Sequence, residues 1–466
     1  MPIANTESPK FEAVNSTDYK LVRLTVSSER IQNPTNSVEL KLVGIEINIF
    51  EHIEKPYLTG SMIFLDNFDL LGLVGFVGSE RITIELMTDE LIPSLTIKKQ
   101  FIVTEIENIV KSNTHNQVMS VKFIEDIGYV SRLKKVSKAY DGTPDQIIRK
   151  ILAEHLRREL KDVSSTIHSD GYMRVIVPNM TPLQACAWVK DRGVTTNGMP
   201  YYLFSTMADD KIRYLDLEKV IQSPALNNDT LDYTYSPAHA SGLAMHDKHT
   251  QSYSIGAVYP SRNSGQLKFA QRGLLASTYN FVDTLTGQVY EEKLNANEMY
   301  KDLKEKNLLS NNHLQREFLI DNTTIVDDKL PHEFDTKLIS QVTTSNIYSD
   351  DIYSYQESAN EKSHILKAKQ KSIKGLLDKS SIEIAVTGRN FLYKDVNVTV
   401  GNNINISFFN SKDQSDGDEN PNDTKYKDYT KSGTYMIYAC RHIFSGVEYN
   451  ASLSCVKLAE GRAPNG

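Results

Sequence analysis

GRNFLYKDVNVTVGNNINISF, residues 388–408, and GTYMIYACRHIFSGVEYNASLSCV, residues 433–456, decide how the rest of the chain is read. Val396, Val398 and Val400 alternate with Asn397 and Thr399, and Ile404, Ile406 and Phe408 alternate with Asn405 and Ser407. A period of two puts successive side chains on opposite faces of a strand. Tyr435, Ile437 and Ala439 take one face, Met436, Tyr438 and Cys440 the other, and Ala451, Leu453 and Cys455 close the run. Gly401-Asn402-Asn403 and Ser445-Gly446 supply turns between strands. The pattern predicts a small antiparallel barrel or sandwich.

Working outward, residues 1–18 are polar and read as a flexible tail. Residues 19–127 form a strand-rich block. Val38, Leu40 and Leu42 keep one parity, and Val43, Ile45, Ile47 and Ile49 keep the other. Gly44 at the switch predicts a bulge or bend in a barrel strand. Leu58, Gly60, Met62 and Phe64 alternate next, and several short strands without long helices point to a first β-barrel.

Residues 128–227 change character. Thr143-Pro144-Asp145-Gln146 and Thr181-Pro182-Leu183-Gln184 are matched helix starts, each with a capping box and a first-turn proline. Ile147, Ile148, Ile151, Leu152 and Leu156 follow the first at helical spacing. A strand over Tyr172–Val177 and a hairpin of 199–204 with 211–217 complete a small α/β unit. The run Lys190-Asp191-Arg192 at the second helix end is expected to be solvated. Residues 228–262 turn strand-rich again and, with 380–460, are expected to make a second barrel. Between them lie an insertion without an assignable fold (263–356) and a helix over 360–379; together they form a 263–379 segment. The polar loop 412–432 is expected to be exposed. The fold class is therefore mainly β with α+β: two barrels flanking an α/β domain and an insertion.

The totals narrow function. With 466 residues the chain is long enough for several cores, since single cores stop growing near ~250–300 residues. A net charge of −7, from 52 basic and 59 acidic residues, argues against a general nucleic-acid binder. Three cysteines, Cys186, Cys440 and Cys455, cannot all pair and lack ligand spacing, which fits a buried, inert thiol at Cys440 and cytoplasmic synthesis. No apolar leader and no membrane-length apolar run is visible.

Chemistry-bearing patterns are absent or bland. The glycine run GLVGFVG (72–78) is neither a Walker loop nor a dinucleotide fingerprint. G-x-S-x-G does not occur. His239, His246 and His249 lie near one another, but a metal site would need the H-x-x-H pair at 246 and 249 on a suitable helix or strand plus a third ligand of matching geometry, and they read as surface loop histidines. Asp327-Asp328 and Asp350-Asp351 are neighbours that face opposite ways on a strand, so they make no acid/base pair. His155 is expected half-buried on its helix, and His442 packed in the closing strands. No catalytic residue, cofactor or metal site is predicted.

Gly388, Gly401, Gly433, Tyr435, His442, Phe444, Gly446 and Tyr449, in the order glycine-led strand, "VG" turn, flexible loop and G-x-Y-x-I-x-x-x-x-H-x-F-S-G-x-x-Y, resemble the closing barrel of the baseplate hub proteins of contractile-tailed bacteriophages, the T-even hub family. The same segment is similar to the N-terminal part of type VI secretion spike proteins. PYLTGSMIFLDNFDLLGLVGFVGSERITIEL (56–86) resembles the family's first barrel, and the paired helix starts its second domain. The resemblance implies a structural, non-enzymatic virion protein of the tail. It implies a homotrimeric ring whose duplicated barrels meet a sixfold tail tube protein on one face and a central spike on the other, with DNA passing unbound through the lumen. A type VI spike-like or host-surface-binding tail component, or a cell-wall hydrolase, is the competing expectation.

Overall fold

A computed structural model describes residues 19–31, 34–40, 45–66, 74–87, 95–111, 117–162, 173–193, 195, 197–235, 252–260, 266–273, 275–283, 287, 289–305, 325, 327–330, 333–334, 337–343, 363–377, 381–409, 427–429, 431–446 and 448–460. The expected tail at 1–18, the Gly44 switch, the histidines at 239, 246 and 249, the acids at 350–351 and most of the 412–432 loop lie outside those residues.

The first strands are β1 (Lys20–Ser27), β2 (Ser37–Glu39), β3 (Ile45–His52), β4 (Thr59–Asp66), β5 (Arg81–Met87), β6 (Thr96–Lys111) and β7 (Gln117–Glu125). Their spatial order is β3-β4-β7-β6-β5-β1-β2, antiparallel at every step. The strands wrap around one core. Alternation places Leu24, Ile47, Met62, Ile84, Phe101 and Val121 inside, all essentially unexposed.

Next come α1 (Asp126–Arg132), β8 (Ala139–Gly142), α2 (Pro144–Ile151), a π turn (Leu152–Leu156), β9 (Leu160–Asp162), β10 (Met173–Ile176), α3 (Pro182–Arg192), β11 (Tyr201–Ser205), β12 (Ile212–Asp216) and α4 (Leu217–Gln222). The two expected capping boxes form. Thr143 N–H donates to Gln146 Oε1 at 3.3 Å, and Thr181 N–H to Gln184 Oε1 at 3.2 Å. These contacts satisfy amides that a helix start otherwise leaves bare. Ile147, Ile148 and Ile151 then meet Leu183, Val189 and Tyr214 in a separate core. β9 pairs parallel to β12, an addition that its short polar sequence did not signal. The Lys190-Asp191-Arg192 run is not simply solvated. Lys190 is buried and pairs with Asp191 at 2.7 Å, and Arg192 stacks 3.6 Å above the Trp188 ring.

The second circuit uses β13 (Tyr233–Tyr235) and β14 (Ile255–Pro260). After an insertion it resumes with β18 (Ser381–Thr387), β19 (Asn403–Phe408), β20 (Gly433–Ser445) and β21 (Glu448–Glu460). The insertion holds α5 (Gln266–Arg272), β15 (Ala276–Asp283), β16 (Val289–Asn295), α6 (Ala296–Glu305), β17 (Leu338–Thr343) and α7 (Ser363–Leu377). β15 lies between β16 and β17, parallel to β17. α7 sets Ala368 against Tyr279 and Phe281, and Ile373 and Leu377 against the second core.

The second circuit runs β14-β18-β21-β20-β19-β13, and a bridge from Thr234 to Ser254 brings it back to the start of β14. Set beside the first, the order is the same: β3, β4, β7, β6, β5 and β1 correspond to β14, β18, β21, β20, β19 and β13. One strand differs in direction. β1 is antiparallel to β5, whereas β13 is parallel to β19, because it enters from the α/β unit. Even the bulges correspond: β6 slips between Val103 and Glu105, β20 between Ile437 and Ala439.

Two local expectations fail in this circuit. Val396–Val400 is not a strand. Asn397 folds the segment into a turn, donating through Nδ2 to Val400 O at 2.9 Å and accepting from Thr399 N–H at 3.3 Å. Nor do Tyr435, Ile437 and Ala439 share a face opposite Cys440. The bulge resets the parity, so Tyr435, Met436, Ile437 and Cys440 are all buried.

β3 and β20 pair with each other, which makes both circuits parts of one 13-stranded sheet. Close packing beside that joint is tightest at Gly60 of β4. A Cβ there would sit 2.3 Å from the Phe123 ring and 2.6 Å from Asn48 O. Gly60→Ala is expected to destabilise the protein by about 1–3 kcal/mol through overpacking. Calorimetry should show a lowered melting temperature, and an unchanged one would contradict the packing described.

Candidate functional site

The place where the chain's opening and closing sequences meet is the β3–β20 joint. Its register runs from Ala439 opposite His52 to Ser445 opposite Glu46. Phe50, Asn48 and Glu46 lie with Arg441 on the face turned away from the cores. Arg441 donates through Nε to Asn48 Oδ1 at 2.9 Å, and its guanidinium lies 5.7 Å from the Phe50 ring centre.

The inward face of the joint is polar where an apolar residue would be expected. Glu51 continues the parity of Ile47 and Ile49 and is fully enclosed. Its carboxylate accepts from the Met207 amide and from the Thr399 hydroxyl, each at 2.5 Å. His442 Nε2 lies 3.1 Å from Glu51 Oε1, within ion-pair distance but without the alignment of a hydrogen bond. Across the ring, Nδ1 shares a 2.8 Å hydrogen bond with the Tyr449 hydroxyl. Burial opposes ionisation of Glu51. His442, the Thr399 hydroxyl and the Met207 amide outweigh it, and hold the carboxyl below the usual glutamate range. Burial pushes the Tyr449 phenol and the Cys440 thiol well upward, so both stay neutral.

Glu51 thus ties together β3, the β11–β12 loop through Met207, the Asn397 turn through Thr399, and β20 through His442. A second buried charge fastens the first barrel to the same loop. Lys99 Nζ reaches Asp210 Oδ1 at 2.9 Å and Glu125 Oε1 at 3.6 Å. Burial raises the Glu125 pKa against the pull of Lys99. An open cleft of about 460 Å³ borders this group, with Arg158 and Asp209 in its wall. Arg158 pairs with Asp126 at 2.7 Å, and Arg213 takes Asp209 in a two-pronged ion pair.

The eight positions singled out in the sequence fall into two places. His442, Phe444 and Tyr449 stack together, with 4.6 Å between the Phe444 and Tyr449 ring centres. Gly388 lies beneath them, where a Cβ would be 2.5 Å from the Tyr449 ring. Tyr19 covers Phe444 and donates to Gly446 O at 2.9 Å. The other three lie apart. Gly433 begins β20; Tyr435 donates to Lys431 O at 2.5 Å; Gly401, at φ +83°, has Phe204 2.8 Å from where a Cβ would lie. Glu51, Thr399 and Lys99 escaped sequence reading. The signal for Glu51 and Lys99 was present: each is a charge on the inward parity of an apolar strand. His155 is half-exposed and lies 3.2 Å from the Tyr140 hydroxyl. The cysteines are free and buried, and among the described residues no group of three or more His, Cys, Asp or Glu is placed to hold a metal ion. Nor, among those residues, is any helix long and apolar enough to cross a membrane.

No protein-family model and no curated protein matches the sequence. Among solved structures, the chain is similar to the 43 kDa tail protein of prophage MuSo2 from Shewanella oneidensis, with 8% identity, 93% of this chain and 98% of that one covered, and a TM-score of 0.46. It is similar to a tail protein from Neisseria meningitidis MC58 at 11% identity, covering 94% and 96%, with a TM-score of 0.49. A third similar structure is the E. coli c3393 protein, a component of the type VI secretion system, at 8% identity, covering 94% and 79%, with a TM-score of 0.36.

Because the folded-state pKa of Glu51 is depressed, its contribution to stability is present above the unfolded value, near 4.5, and is lost as pH falls through the folded value. Glu51→Gln is expected to cost roughly 1.5–3 kcal/mol at neutral pH, as for loss of hydrogen bonds to a charged group. It should also flatten the acid limb of the stability curve. Denaturant titrations from pH 3 to 8 measure both effects, and parallel curves for wild type and variant would rule out the role assigned to Glu51.

Proposed function

We propose that this chain is a structural hub subunit of a phage tail baseplate. It acts as a ring of three that matches a sixfold tail tube to a threefold central spike. The single observation that carries this reading is the repeated strand order of the two barrels, joined edge to edge in one sheet. Three chains would present six near-equivalent barrels, so one closed ring offers sixfold contacts on one face and threefold contacts on the other. Closed rings arise when a contact between unlike patches rotates back on itself. The sequence resemblance of the closing strands to the T-even hub family supports the same assignment, virion location included.

The face of the continuous sheet turned away from the cores would line the lumen. Its charges include the pairs Lys122 with Glu105 at 3.5 Å and Arg441 with Glu46 at 3.9 Å, set beside the exposed Phe50 and Ile63. Paired cations release few counterions to a phosphate backbone, so such a wall lets DNA slide without holding it.

Light scattering on the purified protein is expected to give three times the 52.7 kDa chain mass, with threefold rings in negative-stain images. A single-chain mass at every concentration, or a closed dimer, would overturn the reading.

A further inference from the structure

Lys99 stands on the inward parity of β6 with its side chain 2% exposed, and two carboxyl groups from different units meet its amine. Nζ lies 2.9 Å from Oδ1 of Asp210, in the turn between β11 and β12, and 3.6 Å from Oε1 of Glu125, the last residue of β7. The Leu58 amide donates to the other Glu125 oxygen at 2.9 Å, which leaves Oε1 to the amine. Burial favours the uncharged form of Glu125 and outweighs the opposing pull of Lys99. The Asp209 carboxylate is taken by the two-pronged pair with Arg213, and its backbone oxygen accepts from Lys99 Nζ at 2.5 Å. Arg158 Nη1 lies 3.7 Å from the second Asp210 oxygen, Oδ2.

We propose that Lys99 and Asp210 condense into an isopeptide bond, a covalent cross-link that the chain makes between its first barrel and its α/β unit. The inference does not depend on the ring. A buried amine, a carboxyl at hydrogen-bond distance and a second, enclosed carboxyl beside the amine supply nucleophile, electrophile and proton carrier. The ammonium first gives a proton to Asp210 Oδ1, leaving a free amine and a neutral carboxyl. The Nζ lone pair then forms a bond to Cγ, and the negative charge that gathers on Oδ2 faces Arg158. Glu125 passes the next proton from nitrogen to Oδ1, and that oxygen leaves as water. Asp210 is 57% exposed at the cleft, so the water has a way out. One ammonium and one carboxylate become one amide and one water, no electron is transferred, and Glu125 ends in the form in which it began. The same condensation is unfavourable between two solvated ions. Here the amine has already lost its water shell, so removing the charges relieves the cost of burying them, and fixed proximity supplies the rate that free reactants lack. The hydrogen left on the amide nitrogen keeps the Asp209 carbonyl as its acceptor. The bond would join positions 111 residues apart, and closing a long loop restricts the unfolded chain as a disulfide does.

Intact mass of the denatured wild-type chain is expected to fall short of the sequence mass by one water, and a protease digest should contain a branched peptide joining Lys99 to Asp210. Asp210→Ala is expected to show its full sequence mass and no branched peptide. Glu125→Gln keeps the amine and the electrophile, and the fraction converted in freshly made protein should drop at least tenfold. Because each reading is taken on unfolded protein, a variant that folds poorly still reports. A full sequence mass for the wild type, or a water lost without the branched peptide, would overturn the cross-link and leave Lys99 and Asp210 as an ion pair only. Equal conversion in Glu125→Gln would overturn the proton transfer assigned to Glu125.

Discussion

Among the described residues, the strands of the two barrels meet along one hydrogen-bonded ladder, β3 against β20, and side-chain ties such as Tyr19 to Gly446 O lie beside it. Two separate barrels on a flexible connection would be free to reorient. Joined by a ladder, they become one sheet, and the angle between them is set by strand twist and register. The α/β unit and the helix α7 pack beside that ladder: Met207 donates to Glu51 next to it, and Lys374 of α7 reaches Glu54 just past β3 at 3.1 Å.

The polar cluster at Glu51 serves geometry more than stability. An apolar residue of similar size would bury at less desolvation cost, and buried ion pairs are frequently no better than hydrophobic replacements. What an acid provides here is direction. Its oxygens take one amide from the β11–β12 loop, one hydroxyl from the Asn397 turn and one imidazole from β20, so three elements from distant parts of the sequence must arrive together. A slip of one residue in the β3–β20 register would turn His442 to the outer face and leave the carboxylate enclosed without it.

Local signals were legible and distant ones were not. The threonine–proline starts at Thr143 and Thr181 were readable because the capping groups lie within three residues of one another. The Ser445-Gly446 turn was readable for the same reason. Val396–Val400 misled because its alternation is real while Asn397 supplies a competing turn through its own side chain. The tyrosine-rich strand β20 misled because a bulge shifts parity without marking composition. The reversal of β13 and the pairing of β3 with β20 depend on residues from opposite ends of the chain, and nothing in either segment alone specifies them. Buried charges at Glu51 and Lys99 were visible as exceptions to an apolar parity, but their partners came from other units. The resemblance of the closing strands pointed to a repeated barrel, and the strand order displays the repeat even though β13 runs backwards.

The most direct measurement is the three-dimensional structure of the assembled protein by single-particle electron microscopy. The rotation relating the first barrel to the second within one chain should equal the rotation relating the second barrel to the first barrel of the next chain. Each should be about 60°, the step that closes six units. Two unequal rotations would contradict a ring of six near-equivalent barrels.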